Sequence, residues 1–169
     1  MIIQGATLTG VTVTDGSLYN GGNMLLYLDA GNSGSYPGSG TAWYDISGRS
    51  NNTSNPTNVA YNSSNGGYFN FTPNGWFQTA SSKYNVTYTG KTIFMSAKLA
   101  NAMSSSTYRC MFGSNGANRN FNLYFYNNGS AYQLHYSAGG IGPISTNMSY
   151  TVGTWGTFAI THTTGGVVT

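Results

Sequence analysis

The chain has 169 residues and a net charge of +3, with 5% charged residues against 15% aromatic ones. Arg49, Lys83, Lys91, Lys98, Arg109 and Arg119 are spread out, which excludes a clustered basic patch for nucleic acid, and the pI near 9.0 reflects missing acids. A lone cysteine excludes an intrachain disulfide framework, and the aromatic content argues against disorder.

Polarity comes from Gly, Ser, Thr, Asn and Tyr, which suit turns and strands. Helix formers are sparse. The length is one domain's worth and buries a core without disulfides. Met1–Gly5 lack the charged and apolar regions of a signal peptide. No segment approaches the ~20 apolar residues of a membrane-spanning helix.

Ala6–Thr14 alternates apolar residues with Thr and reads as a strand or extended arm, with Leu8, Val11 and Val13 as its apolar positions. Asp15-Gly16 marks a turn and Gly21-Gly22 a joint, so residues 1–23 read as an N-terminal β arm and 24–169 as the main domain. Met24–Asp29 predicts a buried strand. A polar loop follows over Ala30–Thr41, interrupted by Trp43–Gly48, and residues 49–56 are again loop. Gly67–Phe71 and Gly75–Thr79 read as two strands flanking a hairpin turn at Pro73-Asn74-Gly75. Lys91–Leu99 predicts a central strand. Tyr108–Gly113 is another, with Cys110 as a small buried hydrophobe. Asn120–Tyr126 and Ala131–Tyr136, joined through Asn127–Ser130, form the clearest hairpin, and Trp155–His162 is the last strand. Short strands at this spacing predict an all-β, antiparallel β-sandwich with an extended N-terminal arm.

Enzyme chemistry finds no footing. Glycoside hydrolysis needs two carboxylates flanking the bond, but Glu is absent and Asp15, Asp29 and Asp45 lie at least fourteen residues apart. There is no G-x-S-x-G elbow, no phosphate loop and no zinc spacing of Cys and His. His135 and His162 lie on strand-like runs and read as satisfied sheet residues. Tyr36, Trp43, Tyr44 and Trp76 are candidates for stacking on sugar faces, with Asn and Ser as hydrogen-bonding partners. Core packing of Trp43 and Trp76 is the competing reading.

Several segments together carry a family resemblance: Leu25 with Tyr27–Asn32, Ser35–Gly38, Trp43–Gly48, Asn51-Asn52, Tyr61–Gly67 and Phe69–Phe71. From Leu25 onward the chain resembles LamG-type, concanavalin A-like jelly-roll domains of bacteriophage structural proteins. Thr72–Gly75 stands where the family has Asp-Gly, and Lys91–Leu99 matches its core strand without the tryptophan. Trp155–Thr161 with Gly165-Gly166 resembles its late strand and turn. The likeness covers most of 24–166. The family continues with closing strands, roughly 30–50 residues by usual strand and turn lengths. Their place is taken here by a shortened variant, a truncation, or a partner chain over the open edge.

The resemblance implies a jelly roll and a non-enzymatic virion surface protein, either a capsid decoration or a fibre component. Its partners would be other virion proteins and further copies of itself, docked through the arm. Release by host lysis would replace a signal peptide. Nucleic acid and membrane are not among the expected partners. A carbohydrate-binding, host-attachment domain recognising cell-surface glycans is the alternative. No cofactor is required. The resemblance allows Ca2+, with Asp29 and Asp45 as the available ligands, against ordinary turn bonding by the same residues.

Overall fold

The computed structural model describes residues 2–4, 26–79, 91–113, 121–138 and 141–162. Its strands are β1 (Ile2–Gln4), β2 (Thr53–Asn62), β3 (Tyr68–Thr79), β4 (Lys91–Lys98), β5 (Thr107–Gly113), β6 (Phe121–Asn127), β7 (Tyr132–Ala138), β8 (Ile141–Met148) and β9 (Gly156–His162). The pairs β2–β3, β4–β9, β5–β6, β6–β7 and β7–β8 are antiparallel, and among the described residues the only helical element is a short 3-10 turn at Ser64–Gly66. The fold is all-β, as the composition predicts. Contacts divide the chain into two units, Gln4–Ser81 and Met1–Ile3 with Ser82–Thr169. The positions expected to form the docking arm, Leu8, Val11 and Val13, lie outside the described residues. β1 neighbours β4 in its sheet.

In the Gln4–Ser81 unit, β2 and β3 form one long antiparallel pair. Phe69 is fully buried at its centre, with Trp43, Tyr36 and Phe77 rings at centroid distances of 4.6, 4.7 and 4.7 Å. These tilted and edge-on contacts suit aromatic quadrupoles. The preceding loop is locked on by glycines. A Cβ on Gly67, where φ is +89°, would lie 2.6 Å from the Ala30 carbonyl oxygen, and one on Gly31 would collide with the Gly66 carbonyl.

Three expectations for this unit are corrected. Residues 26–29 are not a strand. Their backbone groups bond elsewhere: the Tyr27 amide donates to Asp45, the Tyr27 carbonyl accepts from Ile46, and the Asp29 amide donates to Ser35 Oγ. Residues 53–56, expected as loop, begin β2. Finally, Pro73-Asn74-Gly75 is no hairpin turn, because β3 runs through it and pairs with β2 on both sides. Asn74, at φ 61°, sits at an irregularity opposite Asn58, whose Nδ2 donates to the Pro73 carbonyl at 3.2 Å.

In the other unit, β5-β6-β7-β8 form a four-stranded meander and β4 pairs with β9. The two layers share one core. Ala97 and Ile160 come from the β4–β9 pair, and Met111, Leu123, Phe125 and Tyr136 from the meander. Packing two antiparallel layers through alternating side chains is the principle of a β-sandwich. Tyrosine hydroxyls tie down the connections. The Tyr150 hydroxyl accepts the Leu99 amide and donates to the Thr154 carbonyl, both at 2.8 Å, and that of Tyr132 accepts the Met103 amide at 3.2 Å. At the β6–β7 turn, Asn128 Oδ1 accepts the amides of Ser130 and Ala131.

Candidate functional site

The residues singled out as sugar platforms separate into two groups. Tyr36 and Trp43 are buried in the aromatic cluster around Phe69, so core packing, not ligand stacking, is their role. The Tyr36 hydroxyl donates to the Gly40 carbonyl, and burial followed by the Tyr61 phenol raises its pKa. Tyr44 and Trp76 are 44% and 49% exposed. Trp76 projects from β3 on the face opposite Phe77, as strand alternation requires.

The two candidate metal ligands do not fit a calcium site. Asp45 is buried, and both its oxygens face donors. Oδ1 accepts the amides of Tyr27 (2.8 Å) and Ser47 (2.9 Å); Oδ2 accepts the Asn51 amide and the Ser47 hydroxyl (both 2.9 Å). Burial alone would raise its pKa, but these hydrogen bonds outweigh that and hold it below the ordinary value. Asp29 Oδ1 closes a turn on the Gly31 amide, and its carboxylate accepts the Tyr27 hydroxyl. Burial, then the Asp29 charge and that hydrogen bond, raise the Tyr27 pKa. Calcium requires six to eight converging oxygens, whereas both Asp45 oxygens face N–H and O–H groups and Asp29 Oδ1 is taken by a turn amide. Among the described residues no three His, Cys, Asp or Glu converge.

A different surface gathers functional side chains. On the meander, Leu123 and Phe125 face the core, so Tyr124 and Tyr126 face outward. Register places Tyr108, Tyr126, Gln133 and Asn147 in one row across the four strands, and Cys110, Tyr124, His135 and Ser145 in the next. Tyr108 stacks on Tyr126 at 4.3 Å and 20°, while His135 meets Tyr108, Tyr126 and Tyr124 edge-on at 5.3, 5.7 and 6.3 Å. Gln133 Nε2 donates to Asn147 Oδ1 at 2.7 Å, and the Ser145 hydroxyl lies 3.2 Å from His135 Nδ1. His135 is buried beneath the rings, which lowers its pKa and favours the neutral imidazole. Tyr108 remains 47% exposed.

His135 is thus a bonded sheet residue, as its strand context suggests. Cys110 is exposed rather than buried. The Tyr108–Tyr126 pair joins residues eighteen positions apart on neighbouring strands. Its only local signal is the alternation of Tyr124 and Tyr126 with Leu123 and Phe125. No known protein family, curated protein or solved structure matches the chain.

Proposed function

We propose that the chain is a non-enzymatic surface protein of a bacteriophage virion, a capsid decoration or fibre component. It docks by its N-terminal arm and displays a jelly-roll, concanavalin A-like sandwich. The virion assignment draws on the sequence resemblance over residues 24–166. The observation that carries the display role is how the polar chemistry is distributed. The buried Asp45 carboxylate is occupied with holding loops together, while the outward face of the meander offers rings, amides and hydroxyls. Aromatic surface flanked by a few placed polar groups suits recognition of a ligand. A host-attachment domain binding cell-surface glycans is the second reading, favoured by the exposure of Tyr44, Trp76 and Tyr108.

Arm docking is tested by particle incorporation. Deleting residues 1–22 also removes β1, which neighbours β4, so the sharper variant keeps β1 and replaces Leu8, Val11 and Val13 with Asp. We predict that this variant folds but fails to load onto particles. Normal loading would refute docking by the arm.

A further inference from the structure

We propose that the outward face of the β5–β8 meander is a binding site for an uncharged glycan, which seats on the free ring face of Tyr108. The proposal takes its ligand class from the adhesin reading and moves the site away from Trp76 and Tyr44. It does not depend on the virion assignment.

Three observations carry it. The first is a ready platform. One face of Tyr108 is covered by Tyr126 at 4.3 Å, yet the residue remains 47% exposed, so another surface of the ring is open. His135 braces the stack edge-on. The ring orientation is therefore set before a ligand arrives, which lowers the ordering cost of binding. Second, polar groups stand beside the platform at the pitch of the sheet. The Gln133–Asn147 amide pair continues the Tyr108–Tyr126 row, and Ser145 lies in the row alongside. Neighbouring strands are ~4.8 Å apart, so a four-strand row spans roughly 14 Å, the reach of an oligosaccharide rather than a single sugar.

The third observation is electrostatic. The described residues of this face carry no formal charge, and burial of His135 favours its neutral form. Arg109, on the edge strand, lies in register with the core residue Phe125 and not with the tyrosine rows; it is exposed, and its guanidinium donates to the Tyr108 carbonyl at 3.1 Å. Among the described residues the two rows themselves hold no cation for a carboxylate or sulfate, whereas hydroxyls and ring C–H groups find acceptors, donors and aromatic surface there.

The test applies the full chain to an array of neutral hexose and N-acetylhexosamine oligosaccharides with their sialylated and sulfated counterparts. Calorimetry then follows on the best neutral glycan. We expect neutral glycans to bind, Tyr108→Ala to weaken binding roughly tenfold, and Tyr108→Phe, which keeps the ring, to stay within about twofold. Trp76→Ala should leave binding unchanged. Should Tyr108→Ala lose its fold by near-UV circular dichroism, shifts of the Tyr108 ring resonances on titrating the native protein decide the same point. No neutral binding, a preference for anionic glycans, or binding that survives loss of the Tyr108 ring each overturns the proposal. Loss on Trp76→Ala instead would overturn this site while leaving the adhesin reading standing.

Discussion

Tyr27 donates its amide to Oδ1 of Asp45 at 2.8 Å, across eighteen positions of chain. The same carboxylate accepts the Ser47 and Asn51 amides and the Ser47 hydroxyl. One buried side chain therefore holds residue 27 against the 45–51 turn, without a ladder partner.

An Asp45→Asn variant keeps the shape but turns an acceptor into a donor facing N–H and O–H groups. Hydrogen bonds to charged groups contribute about 1.5–3 kcal/mol each, so we predict a loss of roughly 3 kcal/mol in urea unfolding followed by tryptophan fluorescence. Because the folded pKa is depressed, the carboxylate's contribution is complete above the ordinary Asp value. It is lost as pH falls through the lower folded value. The variant should lose that part of the acid dependence; an unaltered acid profile would contradict the account.

The close approach of residues 30–31 to residues 66–67 leaves no space for side chains. Gly67→Ala adds both a clash with backbone and a left-handed conformation that Ala disfavours, so it should cost at least ~2 kcal/mol. Gly38→Ala, where φ is also positive but nothing lies within 4 Å, should cost only ~1 kcal/mol. Equal losses for the two would show that the close approach is not made in solution.

Phe125 is fully buried between layers, with the Tyr150 and Phe158 rings at 5.1 and 5.2 Å. Truncation to Ala should cost about 3–5 kcal/mol. Phe94, on the opposite face of β4 and 50% exposed, should tolerate Ser within about 0.5 kcal/mol. Chemical denaturation separates the two, and a comparable loss at Phe94 would mean that its face is covered.

Burial beneath Tyr108, Tyr124 and Tyr126 lowers the His135 pKa. The unfolded chain then binds this proton more readily, so stability declines as pH falls below the ordinary histidine value toward the folded one. NMR titration should place His135 below ~6.5, the free value. A value above it would require a negative charge near the face that the described residues do not supply.

How far the sequence revealed these features depends on where each segment's partners lie. β4, β6, β7 and β9 are legible because apolar and polar residues alternate over whole strands, and Asn128-Gly129 marks the hairpin. β2 was hidden by its polarity, by Pro56, and by Asn55 and Asn58 at positive φ, which let it follow β3 through two irregularities. Conversely, the apolar run at 26–29 looks like a strand, yet its bonding groups are taken by Asp45, Ile46 and Ser35. The tyrosine face depends on register. Tyr108 and His135 reach Tyr126 from different strands, a non-local relationship that no spacing along the chain encodes. Tyr36 and Trp43 misled for a related reason, because an aromatic suited to a sugar is equally suited to a core.

The central claim is that this chain is displayed on the outside of a virion. Purified intact particles probed with antibodies against residues 91–162 test it most directly. The account predicts labelling of unbroken particles, with the chain present in amounts comparable to other structural proteins. A chain found in infected-cell lysate but missing from purified particles would contradict it.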